Sequence, residues 1–278
     1  MAGCSALNIS RNNEESNRLV LYSGRSETLV GPIIERFPAA PGLPNNVDQY
    51  LKRVEEVYVT DAYHSLSIEG YQVSEELIDR VRSGNWNPNA NKADKDNRDA
   101  LAARGYWQAY QVVKDSITKI LKGKQAGNVI DEDHGAWYRE LFAPSVTAGI
   151  LKPSDLAGYR NAPVSIRKSK HVPLNIEAVR DAMPTLFNLL KDEKEPSVRA
   201  VLGHFMFVYI HPYIDGNGRI ARFLMNAMLA SGGYRWTVIP SNERNNYMEA
   251  LEYASVQQNI EPFAKFISTL VEKDLKPK

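Results

Sequence analysis

Five segments in the second half of the chain, at 175–191, 196–210, 217–231, 243–257 and 261–273, repeat apolar residues three and four apart. That is the spacing of helices with one buried face. The first half reads the same way. Leu51, Val54, Tyr58 and Ala62 follow helical spacing until Gly70 supplies a stop. Ser74 before Glu75 and Glu76 is an N-cap signal with an acidic first turn, and that short helix closes at Gly84. The asparagine-rich NWNPNAN that follows reads as a loop, and NRDALAARGYWQAYQVVKDSITKILKG as a long core helix ending at Gly123. Only at 158–173 does the period change. Tyr159, Val164 and Ile166 there alternate with polar residues around the turn-like KSK, which predicts a small β-hairpin. The expected fold class is therefore all-α with one hairpin. Residues 1–45, with the proline- and glycine-rich IIERFPAAPGLP, are expected to form an extended arm beside a helical domain at 46–278.

At 278 residues and 43% apolar, the chain can build a substantial core. A net charge of +1 excludes a general nucleic-acid coat or a polybasic membrane anchor, so any phosphate site must be a focused one. A lone cysteine, Cys4, cannot form an internal disulfide. The N-terminus MAGCSALNIS has neither a basic region nor a long apolar one, and a run such as FMFVYI is far shorter than the roughly 20 residues of a membrane span. These features predict a cytoplasmic protein without a membrane segment. No helix-turn-helix pattern follows the last periodic segment, so no nucleic-acid partner is expected.

The stretch HPYIDGNGRIAR, residues 211–222, is unlike its surroundings. Pro212 disfavours the α conformation at His211, so the preceding helix should end there and leave an imidazole at its terminus. Such a group titrates near neutrality and can take a proton from a hydroxyl. Asp215, Gly216, Asn217 and Gly218 lead into the next helix, and a glycine-rich loop at a helix N-terminus presents free N–H groups to an anion. Arg219 and Arg222 lie three apart, where two guanidinium forks can hold adjacent phosphates. Asp215 beside a polyphosphate is the usual way to hold Mg²⁺. A purely structural loop would use Asp215 as a cap, the glycines as a turn and the arginines as a solvated face, which accounts for each residue but not for their conjunction. The stretch is not a Walker A loop, since no Gly-Lys-Ser/Thr follows, nor a dinucleotide fingerprint, since no strand precedes it.

Position for position, the stretch resembles the signature of the Fic (Fic/Doc) family, His-Pro-Phe-x-Asp/Glu-Gly-Asn-Gly-Arg-x-x-Arg, with Tyr213 in place of the phenylalanine. The resemblance extends to HFMFVYI before it and to GYRNAPVSI, which looks like the family's flap. It implies a Fic-type helical bundle whose catalytic core spans 196–273. It also implies transfer of AMP from MgATP to a Ser, Thr or Tyr hydroxyl of a target protein, the chain itself included. By the same resemblance His211 is the general base, Asp215 the Mg²⁺ ligand, Gly216 to Gly218 the α-phosphate cradle, and Arg219 and Arg222 the holders of the outer phosphates. Relatives that phosphorylate their target carry Lys where this chain has Gly218, so AMP transfer is favoured, while phosphocholine transfer stays open. An exposed flap edge can take up a target segment as an added strand, with Val164 and Ile166 holding the register, unless those two are simply core plugs. Tyr247, in NERNNYMEALEYA, stands where the family has an aromatic contact to the nucleotide, though its spacing from Leu251 and Ala254 suits core equally. His204 and Tyr209 read as core or as support behind the site, and His171 has no assigned role.

Residues 65–70, SLSIEG, resemble the family's inhibitory motif Ser/Thr-x-x-x-Glu-Gly/Asn, on a helix near 55–70 that precedes the core. Glu69 would then pair with Arg222 and deny it to the γ-phosphate, with Ser65 supporting the glutamate from one turn earlier. An exposed ion pair contributes only about 0–1 kcal/mol. Hundredfold suppression needs about 2.7 kcal/mol. The lock is therefore expected in a largely desolvated cleft, or with steric blocking added. The alternatives are a hydrolase that removes AMP, with Glu69 positioning water, and a catalytically silent nucleotide-bound interaction module. Oligomeric state, including a homo-oligomer, stays open.

Overall fold

The computed structural model describes residues 7–10, 20–23, 27–85 and 98–275, so Cys4 and most of the asparagine-rich stretch lie outside the described residues. The body is helical, as expected. Helix α1 spans Glu27–Arg36, α2 Val47–Ile68, α3 Glu75–Arg82, α4 Arg98–Leu121 and α5 Ala126–Thr147. They are followed by α6 Ile176–Asp192, α7 Pro196–Ile210, α8 Asn217–Ala230, α9 Arg244–Val256 and α10 Glu261–Leu275. Each of the five late helices begins and ends within two residues of the stretch predicted from periodicity.

Helix α8 lies at the centre. All of its residues except Gly218 are buried, arginines included, which is the signature of a helix enclosed on every side. It packs along α7, and Gly203 of α7 allows the close approach, since a Cβ there would stand 2.7 Å from a Leu224 methyl. Helices α4 and α5 form a second tight pair at Gly105, where a Cβ would fall 2.0 Å from the Leu141 carbonyl oxygen. Helix α5 went unread in the sequence, although Val129, Ile130, His134, Trp137, Tyr138 and Leu141 are buried at helical spacing. Its start is capped by Gln125, whose side chain accepts from Asn128 N at 2.6 Å, outside the usual Ser/Thr/Asp/Asn set.

Helix α2 starts where Asn46 accepts from Gln49 N at 2.8 Å. It stops through a Schellman closure: Tyr71 N donates to Leu66 O at 3.1 Å and Gly70 N to Ser67 O at 3.0 Å, with Gly70 at φ +86. The glycine of SLSIEG is thus required by the left-handed turn that leaves Glu69 as the last right-handed residue. Ser74 caps α3 as predicted, accepting from Leu77 N.

Two local expectations fail. Within the stretch read as an extended arm, Leu7–Ser10 (β1) and Val20–Ser23 (β2) pair antiparallel and α1 is a regular helix. Val30, Ile33 and Phe37 are buried, and Tyr234 donates to Pro38 O at 2.7 Å. Burial of that apolar face outweighs the breaking tendency of Pro32. The hairpin at 158–173 forms no β-ladder. Ala162, Val164 and Ile166 are half-buried between exposed neighbours and the chain turns at 167–168, with Lys168 at φ +64. Pro163 and Pro173 each remove a ladder donor. The return limb is drawn to the body instead: Ser169 and Lys170 N donate to the Glu252 carboxylate of α9, and His171 Nε2 bonds Tyr209 O at 2.8 Å. Among the described residues, no helix is long and apolar enough to cross a membrane.

Candidate active site

His211 sits directly after α7 in the left-handed conformation, φ 54 and ψ 60, with its N–H still bonded to Phe207 O at 3.0 Å. A non-glycine residue held there, before a proline, stores about 1–3 kcal/mol of strain. The imidazole Nδ1 lies 3.2 Å from Val208 O, a bond only the Nδ1–H tautomer can make, which leaves Nε2 as the proton acceptor. Burial pushes the His211 pKa down, and the Arg160 and His171 charges push the same way, against the Val208 bond and Glu69. The ring is thus held neutral at physiological pH.

The loop from Pro212 to Gly216 is closed from inside. Tyr213 stacks flat on Tyr138, centroids 3.7 Å apart, and is buried. The Asn217 side chain accepts from Tyr213 N at 2.9 Å and donates to Tyr213 O at 2.8 Å. Asn217 therefore contributes its side chain to the loop and only its backbone to the helix end. Gly216 is left-handed at φ +82, and a Cβ would meet the Phe142 ring at 2.9 Å. Having no side chain, it cannot cap α8, whose first intrahelical bond runs from Ile220 N to Gly216 O. The N–H groups of Asn217, Gly218 and Arg219 thus have no intrahelical acceptor, and they form the positive end of the helix dipole.

An anion already stands there. The Glu69 carboxylate approaches so closely that a Cβ on Gly218 would lie 2.3 Å from its Oε1. Arg222 Nη2 donates to the same oxygen at 2.6 Å. The guanidinium side chain is 4% exposed and the glutamate 26%. Burial disfavours the Arg222 charge, but Glu69, together with Tyr247 and Tyr106, outweighs it and raises the pKa. Ser65 supports the arginine, not the glutamate: its Oγ accepts from Nε at 2.8 Å and its carbonyl from Nη2 at 3.1 Å. The cause is geometric. Asp61, Ser65 and Glu69 recur every four residues on one face of α2, and Arg222 spans the last two.

Arg219 is buried, bonds Asp215 Oδ2 at 3.2 Å, and lies over the rings of Tyr71 at 5.2 Å and Phe142 at 5.1 Å. The end of α2 thus touches both arginines, through Glu69 and through Tyr71, a residue the sequence reading passed over. Asp215 is the open member of the group, with its side chain 60% exposed. Tyr247 does not line an open wall. It is buried at 1%, and its hydroxyl is 2.8 Å from His204 Nε2, itself fully buried. Burial, then the Arg222 charge, lowers the His204 pKa to about 3, so this ring stays neutral. Val164 and Ile166 stand half-buried on the irregular limb that replaces the hairpin.

Residues 132–229 match the family described as Fic/DOC. That segment, about a third of the chain, is similar to Fic domains. The chain is similar to proteins named protein adenylyltransferase Fic: one from Drosophila grimshawi, 28% identical over 80% of this chain and 43% of that protein, and one from Nematostella vectensis, 28% identical over 81% of this chain and 49% of that protein. The chain spans under half the length of these curated relatives. Among solved structures, Fic-1 (residues 134–508) from C. elegans superposes with a TM-score of 0.65 over 89% of this chain and 68% of that one, at 20% identity. The likeness in fold thus extends well beyond the matched 132–229.

Proposed function

We propose that this chain is an autoinhibited protein adenylyltransferase, transferring AMP from ATP to a hydroxyl of a target protein. The observation that carries the reading is the Glu69 carboxylate seated at the α8 N-terminus and bonded to buried Arg222 at 2.6 Å. A negative group already fills part of the place that a phosphate chain would take. The names of the relatives support the activity.

In the reaction, the target hydroxyl oxygen attacks the α-phosphorus, its proton passes to His211 Nε2, and the bond from the α-phosphorus to the bridging oxygen of pyrophosphate breaks. The free N–H groups of Asn217 to Arg219 bind the phosphate oxygens, and Arg219 and Arg222 neutralise the outer phosphates. Asp215 suits Mg²⁺, since a single carboxylate whose side chain is 60% exposed, sharing phosphate oxygens, fits an ion that keeps several waters. Bound there, Mg²⁺ would neutralise charge on the departing pyrophosphate. The limb through Val164 and Ile166 would receive the target backbone. In this reading the inhibitory helix near 55–70, the limb at 158–173 and the core at 196–273 act as one unit, and ATP and a target protein are the partners.

The test is incubation of wild type, Glu69→Gly and Glu69→Gly/His211→Ala with Mg²⁺ and ATP labelled on the α-phosphate, alone and with cell lysate. Label on protein is expected with Glu69→Gly, weakly with wild type, and not with the double variant. Absence of label from every protein, while ATP binds, would overturn the reading.

A further inference from the structure

Arg160 lies inside GYRNAPVSI but was given no role of its own in the sequence, yet its side chain joins several of the site's parts. It is 4% exposed and lies at the start of the limb that runs through Val164 and Ile166. Its backbone N–H donates to Pro212 O at 2.8 Å. Its Nε donates to His211 O at 2.8 Å, its Nη1 to Ala162 O at 3.0 Å, and its Nη2 to Leu174 O. One guanidinium thus ties the outgoing limb, the returning limb and the strained residue His211 together. Among the described residues its side-chain acceptors are neutral carbonyls and no carboxylate pairs with it, so no counter-ion there explains why a charge is buried. A structural cross-link between loops needs no cation, whereas carbonyls of a backbone that must hold a strained conformation are gripped most firmly by charge-assisted bonds in fixed fork geometry.

We propose that Arg160 is a positioning residue for the transfer reaction. It clamps His211 in its left-handed conformation and makes the target-binding limb and the base move as one body. The consequence is alignment. A hydroxyl presented on the limb and the Nε2 that takes its proton are referred to the same guanidinium, so the limb cannot shift without carrying His211. This inference rests on the adenylyltransferase reading, and its test separates the two.

The charged and titratable groups acting on His211 are Arg160, His171 and Glu69. Arg160→Lys keeps the charge and loses the fork, whereas Arg160→Gln keeps donor atoms and loses the charge. Both are made in the Glu69→Gly background, which supplies the active reference. A misplacement of about 1 Å can cost about 100-fold in rate, so kcat for AMP transfer should fall about 30- to 100-fold in Arg160→Lys, with ATP binding unchanged and the thermal transition retained. In Arg160→Gln the acid limb of the pH–rate profile should also move to higher pH, because a cation that opposes protonation of His211 is gone. The same upward shift should appear in the NMR titration of His211, identified among the five histidines by His211→Ala, whether or not the protein transfers AMP. If Glu69→Gly transfers nothing while the NMR titration shifts in Arg160→Gln, the functional reading fails and the clamp stands. Wild-type kcat in Arg160→Lys, or an unmoved His211 titration in Arg160→Gln, overturns the clamp.

Discussion

Replacing Glu69 by Gln separates the two ways in which this side chain can exclude a nucleotide. Glutamine keeps the volume above Gly218 and still accepts from Arg222 Nη2, and loses only the charge. At an effective dielectric of about 20, two charges about 4 Å apart attract by about 4 kcal/mol. Desolvation removes part of that. Breaking a fully buried pair costs about 3–5 kcal/mol, and an exposed pair is worth about 0–1. With the arginine 4% and the glutamate 26% exposed, the pair lies between these limits. A value of about 2 kcal/mol corresponds to about 30-fold. Glu69→Gln should therefore raise the initial rate of AMP transfer about 30-fold at sub-saturating ATP, and Glu69→Gly, which also clears the space over Gly218, should raise it further. Because the arginine is enclosed, the wild-type rate should change little with added salt, unlike that of a surface pair. The assay is transfer of α-phosphate label under identical conditions for all three proteins. A Glu69→Gln rate equal to wild type, beside a fast Glu69→Gly, would refute the electrostatic part of this reasoning and leave only steric exclusion.

Two further outcomes test the packing around the site. Asp61, buried one turn before Ser65, has its pKa raised by burial to about 6, against the lowering effect of the 2.6 Å bond from Tyr106. The folded carboxyl binds a proton that the unfolded one releases, so its contribution to stability is greatest below the unfolded pKa and is lost as pH rises through about 6, a change of about 3 kcal/mol. Asp61→Asn should melt higher than wild type at pH 7.5 and lose that advantage near pH 4, and a pH-independent difference would count against the assignment. Gly105→Ala places a Cβ 2.0 Å from the Leu141 carbonyl oxygen, so α4 and α5 must part at a cost of about 1–3 kcal/mol or more. The urea midpoint should drop, and an unchanged midpoint would mean that the helix pair yields without strain.

What the sequence disclosed depended on how local each determinant is. The late helices were readable because their apolar spacing and breakers lie within the segments themselves, and HPYIDGNGRIAR because one loop and one helix end hold all of its groups. The hairpin failed on non-local grounds. Alternation at Val164 and Ile166 is real in the burial pattern, but Glu252, 82 residues beyond Lys170, holds the return limb away from its partner. The role of Arg160, within GYRNAPVSI, was invisible for the same reason, since its acceptor at His211 is 51 residues distant and is a backbone carbonyl without residue identity. Ser65 was found, but its partner was misjudged: helical spacing pairs it with Glu69, whereas the donor that reaches its hydroxyl comes from 157 residues away.

Gly218 shows how two demands converge on one position. At the first turn of α8 a glycine leaves the backbone N–H groups open to a phosphate, and that alone would justify it. The same missing Cβ is what lets Glu69 lie against the helix end, since any side chain there would overlap its Oε1. A larger residue at 218 would obstruct the Glu69 carboxylate and, on the proposed reading, a phosphate as well. On the proposed reading the lock thus uses the opening meant for the nucleotide, and what widens the site for ATP also admits Glu69.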